Sequence, residues 1–288
     1  MLQVARLAPK ALGDARELVT GFILGQLSAD GGFSGRAGES DLYYTVFGLE
    51  SLIALGYDLP SREVAAYLRT FGDGSTLDFV HLTCLARAWA DLPRGLREDA
   101  PKHQIRDRLE SHRTGEGGYH ADPDAEHGSV YGCFLALGAY QDLGLEMPDP
   151  ARMIACLRGM EAADGGFANQ SEQAFGLTPS TAAAVMLLRH LGQAPAPGLE
   201  QWLLSRRHPG GGFFASPVAP IPDLLSTATA LHALAGMQVS FEEFKESCLD
   251  FIDTLWTNRG GFYGNWQDDI LDCEYTYYAL LSLGHLTL

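Results

Sequence analysis

The sequence predicts an all-α fold, an α6/α6 toroid in which six helical hairpins surround a central lumen. The first observation is a Gly-Gly-aromatic turn that occurs five times, at residues 31–33, 117–119, 165–167, 211–213 and 260–262. The second is its spacing: successive aromatic residues are 86, 48, 46 and 49 residues apart, which is typical of stacked helical units. The third is that apolar residues between the turns follow helical spacing, and no long segment alternates like a strand.

A sixth repeat without the double glycine is expected where the first interval is about twice the others. Asp73-Gly74-Ser75 stands at that place and precedes another apolar run. We therefore interpret residues 1–288 as one toroid domain of six units. A closed ring is favoured over an open solenoid because neither end of the chain shows a clear polar capping repeat.

Each unit is predicted to contain an amphipathic outer helix followed by a more apolar inner helix. In the first unit the outer helix covers residues 15–27, and Gly31-Gly32 ends it because glycine accepts the left-handed conformation. Asp41 is the predicted N-cap of the inner helix at residues 42–55. An inner helix that is apolar nearly all round is buried on both sides.

Further along the chain, Thr178-Pro179 is predicted to be an N-cap followed by proline at the first helical position. In a ring, the inner helices all begin at one rim. Their free N–H groups and dipoles converge there and favour an anionic group.

Composition excludes several classes of function. The net charge is −16 and the chain has three lysines, which argues against binding nucleic acid or an anionic membrane surface. No apolar run is long enough for a transmembrane segment, and we expect a cytoplasmic protein. The five cysteines are scattered and form no CxxC pair, so we expect no disulfide framework.

Three stretches carry a resemblance to a known family. They are Gly31-Gly32-Phe33-Ser34-Gly35-Arg36 with Asp41-Leu42-Tyr43-Tyr44-Thr45-Val46-Phe47-Gly48-Leu49, then Glu126-His127-Gly128-Ser129-Val130-Tyr131-Gly132-Cys133, and Asp272-Cys273-Glu274-Tyr275. The repeats resemble those of protein prenyltransferase β subunits and of squalene-hopene-type terpene cyclases. The resemblance is specific for the fold and much less so for chemistry, because one fold hosts several functions.

The resemblance implies an isoprenoid-handling enzyme of the transferase type that binds a prenyl diphosphate. The diphosphate would lie near His127, Arg36 and Tyr44, and the prenyl chain would occupy an aromatic-lined lumen. The lumen residues implied are Tyr43, Phe47, Tyr131 and Tyr277. The family also implies a zinc ion, here at Asp272 and Cys273, which would activate an acceptor thiol, and a helical partner subunit.

The sequence departs from the prenyltransferase pattern at the zinc-binding positions. Asp272 is adjacent to Cys273 rather than two residues before it, and Tyr44 occupies the position of the zinc-binding histidine. Two other alignments of the repeats place different residues at the three zinc-ligand positions. One gives Asp41, Tyr43 and His81, and the other gives Thr178, Thr181 and Ser226. None of them supplies a full ligand set.

Residues Ile221–Ala228 resemble the segment that carries the catalytic acids in the cyclases, but Leu225 stands at the position of the proton donor. The catalytic residues therefore stay unknown. Three alternatives to the transferase therefore remain. They are a class II terpene-cyclase-like enzyme, a non-catalytic isoprenoid-binding or scaffold protein on the same fold, and a carbohydrate-active barrel. The last would need two carboxylates across a cleft.

Overall fold

The computed structural model describes residues 1–171 and 173–288 and is mainly helical within them. The helices are α1 (Leu2–Ala5), α2 (Pro9–Leu12), α3 (Ala15–Gly25), α4 (Leu42–Ala54), α5 (Ser61–Arg69), α6 (Phe79–Asp91), α7 (Arg94–Arg97), α8 (Lys102–Ser111), α9 (Val130–Leu143), α10 (Pro150–Arg158), α11 (Thr178–His190), α12 (Leu199–Leu204), α13 (Leu224–Gly236), α14 (Lys245–Leu255) and α15 (Cys273–Leu286). Two short antiparallel hairpins pair β1 (Phe33–Ser34) with β2 (Ser40–Asp41), and β3 (Phe213–Phe214) with β4 (Pro222–Asp223).

The predicted hairpins are confirmed in the described part of the chain. Each outer helix packs against the inner helix that follows it: α3 on α4, α5 on α6, α8 on α9, α10 on α11, α12 on α13 and α14 on α15. The repeat without a double glycine is also confirmed, because Gly74 has a positive φ of 76° in the turn between α5 and α6. The inner helices are the more buried of each pair, as their apolar sequences predict.

The chain divides into two compact units, and they are described separately. Unit 1 contains Met1–Leu59 and Pro197–Leu288, and unit 2 contains Pro60–Ala196. In unit 1, α15 packs between α4 and α13, so the first and last hairpins of the chain are neighbours. In unit 2, α9 packs between α6 and α11. That residues 1–288 form one functional domain stays a prediction.

The Gly-Gly-aromatic turns share one backbone arrangement. The first glycine of each pair has a φ between 87° and 95°, where side chains with a Cβ are strained. The aromatic residue is at most 2 % exposed in every case, and it forms an antiparallel bridge with a residue just after the end of the preceding outer helix. The turn thus folds the loop back over the hairpin and anchors it with a buried ring.

A threonine in the inner helix holds the aromatic residue. The backbone N–H of Phe213 donates to Thr227 Oγ1 at 3.0 Å, and that hydroxyl donates to the Asp223 carbonyl at 2.7 Å. Phe33, Phe167 and Phe262 donate in the same way to Thr45, Thr181 and Thr276. Cys133 stands at the equivalent place after Tyr119, in the second of these turns. Each of these bonds fixes a loop to the start of an inner helix.

Helix starts agree with the sequence at Asp41 and differ at Thr178. The Asp41 carboxylate accepts hydrogen bonds from the backbone N–H groups of Tyr43 and Tyr44, as predicted for an N-cap. The helix α11 instead begins at Thr178, with Leu177 as its N-cap and the proline at the second position. The Thr178 hydroxyl is therefore not the cap, because extended Leu177 already sets the helix start.

None of the helices in residues 1–171 and 173–288 has the length and apolar character needed to span a bilayer.

Candidate functional site

Aromatic side chains from α4 and α15 form a half-buried surface in unit 1. Tyr43 and Phe47 lie one helical turn apart on α4, and their ring centroids are 5.0 Å apart. Phe47 in turn lies 5.5 Å from Tyr278 on α15. We call Tyr43, Phe47 and Tyr278 the aromatic surface, because all three are partly accessible. Tyr277 is 1 % exposed, and its ring centroid lies 5.7 Å from that of Phe47.

Glu274 is the acidic group at the edge of the aromatic surface. It lies one turn before Tyr278 on α15, is half-buried, and accepts a hydrogen bond from the Tyr43 hydroxyl to Oε1 at 2.6 Å. Burial raises the pKa of Glu274 to about 7; the Tyr43 hydrogen bond opposes this, and the charge of Asp272 adds to it. A substantial fraction of this carboxyl is therefore protonated at neutral pH.

Arg36 joins the first repeat to the last through two carboxylates. Its Nη2 lies 2.8 Å from Asp268 Oδ2, and its Nε lies 2.7 Å from Asp272 Oδ2. The guanidinium also stacks over Tyr275, with 5.2 Å between Cζ and the ring centroid. Burial disfavours the charged form of Arg36, but the two carboxylates outweigh it and its pKa is raised. Arg36 therefore stays charged and is held by carboxylates.

The phenol of Tyr44 stays neutral in this cluster. Burial raises the pKa of Tyr44 to about 12, and the negative charges of Asp272 and Glu274 raise it further. Its ring lies against the loop that carries Arg36, because a Cβ on Gly35 would stand 2.8 Å from a Tyr44 ring carbon. Tyr44 can therefore donate a hydrogen bond beside Arg36 without carrying charge.

His127 and Tyr131 lie in unit 2, around the start of α9. The His127 side chain is 63 % exposed, and its Nδ1 lies 3.3 Å from Glu116 Oε2. Glu116 Oε1 accepts a hydrogen bond from the Gly128 N–H at 2.9 Å, which fixes the loop that carries His127. Tyr131 is 43 % exposed, and its N–H donates to Asn169 Oδ1. Both side chains can be reached from solvent at the head of this inner helix.

The two residues predicted to bind zinc are engaged in other contacts. Asp272 Oδ1 accepts from the Tyr275 N–H at 2.8 Å while Oδ2 pairs with Arg36. Cys273 is 0 % exposed, and burial raises the pKa of its thiol well above the ordinary value, so the thiolate is disfavoured. Within residues 1–171 and 173–288 no three His, Cys, Asp or Glu side chains are grouped to hold a metal. Asp272 would have to leave its present contacts, and Cys273 its buried position, to bind the ion, and zinc at Asp272 and Cys273 stays a prediction.

The structure brings most of the predicted residues together but adds one. In unit 1 the last helix, α15, contacts a group of predicted residues from the start of the chain, namely Arg36, Tyr43 and Phe47, and Tyr44 lies beside them. The two parts of this site therefore come from opposite ends of the chain. Glu274 was not predicted as a functional residue. Its neighbour Tyr43 is 231 residues away in the sequence, so no local pattern marks it as buried.

A family profile matches most of the chain. The sequence matches the prenyltransferase alpha-alpha toroid domain at residues 7–84, 118–197 and 181–287. The chain belongs to this family. The match confirms the all-α toroid and the resemblance drawn from the repeats. No curated protein sequence matches this chain.

Solved structures of three different activities share the fold of this toroid protein. A variant of the type II terpene cyclase MstE from Scytonema, in complex with geranylgeranyl dihydroxybenzoate, has a TM-score of 0.61 at 14% identity, with 97% of each chain covered. An inactive variant of the alpha-1,6-mannanase GH76A of Salegentibacter sp., in complex with alpha-1,6-mannotriose, has a TM-score of 0.65 at 13% identity, covering 96% of this chain and 98% of that one. Candida albicans protein geranylgeranyltransferase-I, complexed with GGPP, has a TM-score of 0.50 at 16% identity, covering 98% and 81%. At these identities the likeness shows the fold alone, and the site has to select the function.

Proposed function

We propose that this toroid protein is an isoprenoid-handling enzyme that binds a prenyl chain on the aromatic surface. The observation that carries the proposal is that Tyr43, Phe47 and Tyr278 are packed together yet partly accessible. Aromatic faces bind long apolar chains and also stabilise carbocations that form on them. Structural neighbours on this fold are in complex with geranylgeranyl compounds and with a mannotriose, so the aromatic surface, rather than the fold, selects the ligand class proposed for this chain.

In its transferase form the ligand is a prenyl diphosphate, with the diphosphate at Arg36 and Tyr44. Arg36 is shared by Asp268 and Asp272, so a diphosphate has to replace at least one carboxylate. Replacing Asp268 removes a competing negative charge and leaves the Asp272 contact in place. Asp268→Asn is therefore expected to tighten diphosphate binding. Zinc, a helical partner subunit and a cytoplasmic location belong to this proposal and require separate tests.

Isothermal titration with geranylgeranyl diphosphate and with geranylgeraniol tests the proposal. Phe47→Ala is expected to weaken binding of both ligands at least tenfold, because the prenyl chain loses a ring of the aromatic surface. Tyr57→Ala is the matched control, since Tyr57 is an exposed aromatic residue of the same unit outside this surface. Absence of binding for both ligands, or equal effects of the two variants, would contradict the proposal.

A second candidate function is proton-initiated cyclisation, as in type II terpene cyclases. The observation that favours it is Glu274, a carboxyl beside the aromatic surface whose burial keeps it partly protonated near pH 7. The sequence places Leu225 where those cyclases carry their proton donor, so an acid from another helix is needed. Product analysis distinguishes this function from transfer, because a cyclase converts the ligand without a second substrate.

A further inference from the structure

We propose that Cys133 and Cys156 are a redox-active pair that forms a reversible disulfide between α9 and α10. Cys133 lies near the start of the inner helix α9, and Cys156 lies near the end of the outer helix α10. Both thiols are free in this structure, and they share a hydrogen bond. The two residues form no CxxC motif, so it is the packing of α10 on α9 that brings them together.

In this repeat a thiol replaces the hydroxyl that holds the other Gly-Gly-aromatic turns. Four aromatic residues donate their backbone N–H to a threonine of the inner helix, as Phe213 does to Thr227. Tyr119 donates its N–H to the Cys133 sulfur instead. Because threonine makes this contact elsewhere, the turn itself does not require a sulfur atom at this position.

The second thiol stands where another turn is covered by a phenylalanine. A Cβ on Gly212, the second glycine of its turn, would lie 2.7 Å from the Phe251 ring. A Cβ on Gly118, the equivalent glycine, would lie 2.3 Å from Cys156 Sγ. One repeat thus has cysteine at both positions, and Cys156 approaches the turn that Cys133 holds. This coincidence points to a role for the pair rather than for either thiol alone.

Cys156 is the member of the pair that an oxidant reaches first. It is 6 % exposed, whereas Cys133 is 0 % exposed. The Cys156 thiol donates to Glu116 Oε1 at 3.3 Å, and Glu116 is partly accessible. A small oxidant can therefore approach Cys156 beside a carboxylate that is able to take up its proton.

Cys133 is prepared for the second step. Its pKa is lowered because Cys156 and the Tyr119 N–H donate hydrogen bonds to its sulfur, against the opposing effect of burial. The thiolate, which is the nucleophilic form of cysteine, is thereby favoured. Cys133 is thus placed to attack the Cys156 sulfur once that sulfur has been oxidised.

With a peroxide as the oxidant, the reaction balances. The Cys156 sulfur passes its proton to Glu116 and attacks one peroxide oxygen; the O–O bond breaks, and the departing hydroxide takes that proton to become water. Cys156 is then a sulfenic acid. The Cys133 sulfur attacks the Cys156 sulfur, an S–S bond forms, the S–OH bond breaks, and the hydroxide leaves as water with the Cys133 proton. Both sulfur atoms are oxidised and both peroxide oxygens are reduced to water, and a dithiol reductant reverses the change by exchange.

Peptide mapping of the full chain after treatment with hydrogen peroxide tests the proposal. The wild type should lose two of its five free thiols and yield a peptide in which Cys133 and Cys156 are linked, detected by mass spectrometry without reduction. Dithiothreitol should restore both thiols. Cys156 should be oxidised about tenfold faster than Cys248, a buried thiol whose sulfur accepts from the Gly212 N–H in another repeat.

Cys133→Thr is the matched variant, because threonine occupies this position in four other turns and keeps the acceptor for Tyr119. It should give no linked peptide and should leave Cys156 as a sulfenic acid that dimedone traps. Cys248→Ala is the control and should form the disulfide at the wild-type rate. In urea, the oxidised wild type should unfold at a higher midpoint than the reduced protein, because the cross-link restricts the unfolded chain. The Cys133→Thr protein should show no such shift after the same treatment.

Three results would overturn the proposal, and the wild type alone is sufficient to obtain them. Peroxide could oxidise Cys156 to sulfinic or sulfonic acid while Cys133 stays free, which would show that the two sulfur atoms do not meet. A linked peptide could occur only in covalent dimers of the chain. Cys248 could be oxidised as fast as Cys156, which would show that the pair has no special reactivity. These measurements need no ligand and no turnover, so they are independent of the proposed function.

Discussion

At the scale of single residues, Glu274 should make folding stability depend on pH in an unusual direction. Its pKa is about 7 in the folded protein against 4.5 for an exposed glutamate, so between these values the folded chain keeps a proton that the unfolded chain releases. Stability should therefore fall as the pH rises from 5 to 8, by on the order of 3 kcal/mol. Urea unfolding across this range measures the loss. A Glu274→Gln variant that shows the same loss would contradict the explanation.

His285 should act in the opposite direction at lower pH. It is 2 % exposed, its Nε2 lies 3.0 Å from His232 Nδ1, and burial lowers its pKa from 6.5 to about 4. The unfolded chain binds this proton first as the pH falls below 6.5, so stability is lost between pH 6.5 and 4. Unfolding at pH 7 and pH 4.5 should show a smaller loss for His285→Gln than for the wild type. Equal losses would show that other groups control acid unfolding.

At the scale of the element, the Gly-Gly-aromatic turn makes a sharp distinction between neighbouring glycines. Gly117 has a φ of 92°, and a Cβ there would stand 2.4 Å from the Arg152 Cβ, whereas a Cβ on Gly115 meets nothing within 4 Å. Gly117→Ala should cost about 2 kcal/mol or more through strain and overlap. Gly115→Ala in the same turn should change stability by roughly 0.5 kcal/mol at most. Thermal unfolding of the two variants compares them, and similar melting temperatures would contradict the prediction.

The threonine contact offers an independent test of the same element. Thr227→Val has nearly the same shape but leaves the buried Phe213 N–H without its acceptor, which should cost about 1–3 kcal/mol. Thr227→Ser keeps the hydroxyl and should lose less, because only a methyl group is removed. Urea unfolding gives both values. Equal losses for the two variants would show that packing, rather than the hydrogen bond, explains the repeated threonine.

These elements also show what the sequence can predict. The turns, the six hairpins and the Asp41 cap depend on residues close together in the chain, so spacing and residue type are sufficient. The Thr178 cap was wrong because Leu177 and Thr178 differ in backbone conformation, which the residue types do not reveal. The Thr227 contact was missed for a related reason, since a threonine in an apolar helix looks like any small core residue.

At the scale of the whole molecule, the candidate site depends on contacts between the two ends of the chain. Arg36 and Asp272 are 236 residues apart, and Tyr43 and Glu274 are 231 residues apart. The resemblance to prenyltransferases located Arg36, Tyr43 and Asp272 individually, but it gave no indication that Asp272 neutralises Arg36. A pKa near neutrality depends on burial by several helices, and no linear motif encodes that burial.

The contact between the ends should therefore contribute measurable stability to unit 1. The Asp272 side chain is 1 % exposed and the Arg36 side chain is 33 % exposed. Removing one of the two therefore leaves the other as a poorly solvated charge. A double-mutant cycle with Arg36→Met and Asp272→Asn should give a coupling free energy of about 2–3 kcal/mol. The control is the cycle for Arg69 and Asp99, which are 49% and 46% exposed and should couple by at most about 1 kcal/mol. Equal coupling in the two cycles would mean that this ion pair does not hold the first and last repeats together, and the position of Arg36 beside the aromatic surface would then need another explanation.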